Sequence, residues 1–91
     1  MSTGKLQGRV VPTYKQVKAA RMLLSMSQED LAKASGVGRA TIDRFESGKP
    51  ILPDTLAKIS DALDRRGIVF TNGDNPTVSL QPGRAIIPLT E

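Results

Sequence analysis

The 91-residue chain contains no cysteine and no histidine. Without thiols there is neither a disulfide framework nor thiolate chemistry. Without imidazole the commonest general base is missing, and with it go the usual zinc ligands. No apolar run approaches the ~20 residues that cross a bilayer, and the first residues lack the apolar stretch of a signal peptide. The expected location is therefore the cytoplasm, with no membrane partner, no cofactor and no metal. The chain is not expected to be an enzyme: its adjacent carboxylates Glu29 and Asp30 fit the electrostatics of a helix start better than acid–base work.

What the chain does have is a modest excess of positive charge, 13 Lys and Arg against 9 Asp and Glu, for a net +4. That excess suits a polyanionic partner and equally suits plain solubility, so charge alone does not choose between them. The length makes one small domain with a modest core and little room for a deep cleft.

Residues 1–12 hold two Gly, Ser, Thr and one Pro around the apolar pair Val10 and Val11, and read as a flexible arm. A helical pattern then begins. Tyr14, Val17, Arg21 and Leu24 recur on one face with Ala20 beside them, and Thr13 is the predicted N-cap. Ser27 starts a second helix, since its hydroxyl can accept from the Asp30 amide while Met26 and Leu31 take the flanking positions of a hydrophobic staple. This helix is predicted from about Gln28 to Ser35, with Gly36 ending it because the residue past a helix end often needs positive φ. Val37 reads as a buried hinge. The segment R-A-T-I-D-R-F-E puts Ile42 and Phe45 on one face and leaves Arg39, Ala40, Asp43 and Arg44 on the other.

Gly48 stops this third helix, K-P-I-L-P is a loop, and Pro53 fits the first turn of a fourth helix carrying Leu56, Ile59 and Leu63 on one face. After Gly67, the runs I-V-F and T-V-S-L flank T-N-G-D-N-P, which is a hairpin signal. The closing stretch Q-P-G-R-A-I-I-P-L-T-E gives no clear element.

Arg21 in the first helix, S-Q-E-D-L-A over residues 27–32, S-G-V over 35–37, T-I at 41 and 42, F-E-S-G-K over 45–49 and P-x-x-L-x-x-I over 53–59 form one ordered set. With these signs the chain resembles, over residues 17–63 and with no insertion, the lambda-repressor-like helix-turn-helix domain of the Cro/CI (XRE) family of regulators. The resemblance implies an all-α fold: a compact four- to five-helix domain over residues 13–66, between the arm at 1–12 and a C-terminal β-hairpin or strand extension at 67–91. It also implies roles. Arg39, Ala40, Asp43 and Arg44 would face base edges in the DNA major groove, with both arginines suited to guanine. Gln28, Thr41, Ser47 and Lys49 would touch phosphates, which set register without reading sequence. Arg21 and Glu46 would form a structural ion pair. Apart from the resemblance, Arg39 and Arg44 read as ordinary solvated charges.

Two departures stand out. Gly38 occupies the usual Ser or Thr cap of the third helix, and Ile51 and Leu52 occupy a loop where basic residues are common in the family. The function implied is a sequence-specific transcriptional regulator, repressor or activator, that binds an inverted-repeat operator in double-stranded DNA as a homodimer and regulates its own promoter. RNA polymerase or another protein would be a further partner. The alternative is an antitoxin whose arm or tail also wraps a toxin. Residues 68–80 are the first candidate for the dimer contact, since a lone two-stranded hairpin is marginal in water, and the end of the fourth helix with Ile51 and Leu52 is the second; the hairpin could equally pack on its own domain or take a strand from a partner protein. Deleting everything after Gly67 is expected to leave the helices folded but to weaken dimerisation.

Overall fold

The structure is a computed structural model that describes residues 10–81. The bulk of the expected arm and the stretch after Gln81 lie outside the described residues. Within them the chain forms α1 (Tyr14–Leu23), α2 (Gln28–Ser35), α3 (Arg39–Glu46), α4 (Pro53–Asp64), β1 (Ile68–Thr71) and β2 (Thr77–Leu80).

Each helix begins where local chemistry supplies its unpaired amides. Thr13 caps α1 in a reciprocal box: its hydroxyl accepts from the Gln16 amide at 3.2 Å while the Gln16 side chain accepts from the Thr13 amide at 2.9 Å. The Gln16 side-chain nitrogen then donates to the carbonyls of Thr71 and Thr77 at 2.9 and 3.0 Å. One buried amide therefore both starts α1 and ties it to the open end of the hairpin loop. The connection to α2 turns through Ser25, whose φ of 56° is the one positive value at a non-glycine residue among those described.

Ser27 and Asp30 repeat the box on α2, each side chain bonding the other's amide at 3.0 Å. The Ser27 amide, followed by the Ser27 hydroxyl, holds the Asp30 carboxyl below its ordinary value of 3.8. A depressed carboxylate stabilises the fold above its unfolded pKa. That contribution is complete at neutral pH and is lost as the pH falls from about 3.8 through the lower folded value. Ser27→Ala should cost about 1 kcal/mol in urea denaturation at pH 7. An unchanged midpoint would show that the cap is dispensable.

Gly36 closes α2 at φ 76°, in the left-handed region that its position was expected to need. Val37, 7% exposed, packs into the core at the turn. Pro53 stands in the first turn of α4 as expected, and Ile59 and Leu63 are fully buried. Tyr14 departs from expectation. It shares the helical spacing of Val17, yet its ring lies outside the core and over Gly48, where an added Cβ would stand 3.7 Å from the ring.

The all-α expectation needs correction. Four helices are present among the described residues, and the two-stranded antiparallel hairpin belongs to the same core, with Ile68 opposite Leu80 and Phe70 opposite Val78. Ile68 is 1% exposed and Phe70 8%, packed with Val17, Ala20, Ile59 and Leu63. The physical reason is the period of two in I-V-F, which turns Ile68 and Phe70 to one face while α1 and α4 leave an apolar side to cover. The hairpin is thus a wall of the core. Val10 packs against this core, and the Val11 carbonyl accepts from the Asn72 side chain at 3.0 Å.

Candidate nucleic-acid interface

The third helix is held by one face and presents the other. Ile42, Phe45 and Glu46 are buried, whereas Arg39, Ala40, Asp43 and Arg44 are exposed. Its start carries no side-chain cap at Gly38, as the missing hydroxyl implies, and the Gly38 carbonyl accepts from Thr41 and Ile42 at 3.1 and 3.2 Å. Its angle to α2 is set by a tight corner in which the Ser35 hydroxyl donates to the Leu31 carbonyl at 2.7 Å and accepts from the Val37 amide at 3.2 Å.

Behind the exposed face runs a chain of polar contacts across three helices. Arg21 grips Glu46 with two parallel bonds, Nε to Oε2 at 2.9 Å and Nη2 to Oε1 at 2.8 Å, and sends Nη1 to the Met26 carbonyl at 2.9 Å. The hydrogen bond to Glu46 raises the Arg21 pKa and outweighs partial burial, so this cation stays charged. Glu46 Oε1 also accepts from Gln28 Nε2 at 3.2 Å, and the same nitrogen donates to Asp43 Oδ1 at 3.3 Å. Gln28 Oε1 in turn accepts from Arg39 Nη1 at 3.0 Å. The route from α1 to the exposed face is therefore Arg21, Glu46, Gln28, then Asp43 and Arg39.

A capped helix, a tight glycine corner and a second helix offered outward make a helix-turn-helix. Residues 17–68 match the sequence model of the helix-turn-helix family of the Cro/C1 (XRE) type. The chain belongs to that family. No curated protein matches it. As an XRE-family member it is a DNA-binding transcriptional regulator.

In this XRE-family protein the four residues expected at base edges share one exposed surface of α3. Arg21 and Glu46 form the expected ion pair. The residues expected at phosphates are more varied. Lys49 is exposed just beyond α3. Thr41 is half-buried and lines an open groove with Arg44, Pro50, Ile51, Leu52 and Thr55. The Ser47 hydroxyl donates to the Asp43 carbonyl at 2.8 Å, so its proton is engaged within the helix. The Gln28 side chain is turned toward α3, with both ends of its amide occupied.

The two apolar residues of the loop after α3 differ in placement: Ile51 packs on the core and Leu52 is 72% exposed. Sequence reasoning missed two linking residues. Gln16 was signalled by T-x-x-Q, a capping-box pattern. The inward turn of Gln28 had no local signal, because its partners lie 11, 15 and 18 residues away.

Proposed function

We propose that the protein is a sequence-specific regulator that binds an inverted-repeat operator as a homodimer in the cytoplasm, and regulates its own promoter among others. The observation that carries this reading is the outward face of α3, where two arginines, an aspartate and a small apolar residue stand exposed on a helix anchored from behind. A B-DNA major groove accepts one α-helix and shows each base pair a distinct donor and acceptor pattern, so a fixed helix with this face can read sequence. Arg39 and Arg44 are assigned to guanine edges, Ala40 to a thymine methyl and Asp43 to an amine. Lys49, Thr41, Ser47 and the amide end of α2 at Gln28 are assigned to phosphates.

Two copies are needed for selectivity, because one helix reads only a few base pairs among roughly 10⁶–10⁹ competing genomic sites. The surface that best supports pairing is the groove between α1 and β2. There Met22 and Leu23 are 64% and 48% exposed, with Pro76 and Val78 of the hairpin lining the same groove. Two copies of β2 can pair antiparallel across a two-fold axis and cover those side chains together.

The test is selection of bound sites from a random duplex library at near-physiological salt, where binding to phosphates alone is suppressed. A palindrome with half-sites about one helical turn apart, ~34–36 Å, is expected. Failure to enrich any sequence would overturn the reading and favour an antitoxin acting with a protein partner. Arg44→Ala should cost ~1–3 kcal/mol at the selected site and much less on random DNA. Equal losses on both would reassign Arg44 to the phosphate backbone.

A further inference from the structure

Met22 and Leu23 stand exposed on α1, and with Tyr14, Lys15, Ala19 and Val78 they line an open groove between α1 and the hairpin. Apolar side chains gathered in one open groove mark a surface that something covers. The groove has a direction. Gln16 ties the first turn of α1 to the first residue of β2 through the Thr77 carbonyl, and α1 and β2 pack together as each runs away from that tie.

The chain supplies a segment at the right place. The Gln81 amide donates to the Gly67 carbonyl at 2.6 Å, so the hairpin is still held where β2 has ended. P-G-R-A-I-I-P-L-T-E follows. Q-P-G-R over 81–84 puts Pro and Gly at the two central positions that a type II turn favours. Such a turn reverses the chain and splays its two arms, which suits a segment leaving the plane of the sheet to reach a helix. A segment reversed after β2 returns along α1 toward Lys15.

Its pattern and length fit the groove. In an extended segment Ala85, Ile87 and Leu89 share one side by the period of two, and Pro88 brings no N–H that needs a partner. Residues 85–89 reach ~16 Å when extended. The ten residues of α1 rise ~15 Å. Glu91 then comes to the Lys15 end with the opposite charge. A second copy must find the same groove by diffusion, whereas this segment is tethered by three residues, 82–84, and so faces it at an effective concentration of about millimolar.

We propose that residues 85–89 fold back into the α1 and β2 groove of their own chain, as an internal occupant that competes with a second copy for the surface assigned above to the dimer contact. The competition rests on the homodimer reading, and the docking does not. Self-association is thereby weakened by the fraction of chains whose groove is already filled.

The chain has no cysteine, so an introduced pair reports alone. Met22→Cys with Ile87→Cys in the full chain is oxidised in a glutathione buffer at low protein concentration, beside a reference pair of Lys58→Cys on the exposed side of α4 with Ile87→Cys. A disulfide needs Cα atoms within about 7 Å. The groove pair is expected to close within one chain at least about tenfold faster than the reference pair. Equal rates overturn the docking, and so does a disulfide formed between two copies. The second measurement is sedimentation of full-chain Ile87→Asp, whose charge expels the segment from an apolar groove. A roughly tenfold lower apparent dissociation constant for self-association is expected. Unchanged or weaker association overturns the competition. If wild type and Ile87→Asp are both monomeric at every concentration, the homodimer reading and the competition fall together, while the groove disulfide still decides the docking.

Discussion

Replacing Arg21 by Ala is expected to destabilise the domain by about 3–5 kcal/mol, a large part of the ~5–15 kcal/mol that holds a small protein together. The side chains of Arg21 and Glu46 are 13% and 3% exposed, so removing the guanidinium strands a carboxylate where water scarcely reaches it. Glu46 would keep only the Gln28 amide as a partner, and the Met26 carbonyl would lose the donor that fastens the turn between α1 and α2. The double substitution Arg21→Met with Glu46→Leu should recover most of the loss, since apolar replacement of a whole buried pair is often close to neutral. Urea denaturation of the single and double variants measures both. An equal loss in the two would mean that packing around the pair, and not the stranded charge, sets the cost.

Truncation after Gly67 is expected to abolish cooperative folding at 25 °C, the reverse of what the pattern of helices alone implies. The cut removes Ile68 and Phe70 from the core, and shortening such buried side chains typically costs ~2–5 kcal/mol each. It also exchanges the Thr71 and Thr77 carbonyls that the Gln16 amide bonds for water, and with them the tie between α1 and the hairpin. Together these losses approach the whole stability of a domain this size. Circular dichroism of the truncated chain through a thermal ramp decides the matter. A sharp transition near that of the full chain would show that the four helices suffice. Phe70→Ala in the full chain serves as the milder companion, with an expected cost of about 3–5 kcal/mol.

The elements of this fold were legible because their signals are local. Thr13 and Ser27 as caps, Gly36 as a left-handed stop, Pro53 in a first turn and the Ile42 and Phe45 spacing each act within one helical turn, and each stands where expected. The face offered by α3 was legible for the same reason. Once Ile42, Phe45 and Glu46 face inward, the helical period leaves Arg39, Ala40, Asp43 and Arg44 outside.

Contacts between distant segments were decided only by the tertiary structure. Tyr14 and Val17 have identical helical credentials, but only Val17 meets the core, because the chain reversal after α3 brings Gly48 beneath the tyrosine ring. From its pattern the hairpin serves equally as a dimer contact or as a wall of its own domain, and only the fold shows Ile68 and Phe70 closing the apolar side of α1 and α4. Gln28 is a polar residue at a helix start in the sequence. In the fold it joins a buried ion pair to two side chains of the outward face. Periodicity and caps report what a residue does to its own helix, and no local pattern reports which distant carboxylate or guanidinium will be waiting across the turn.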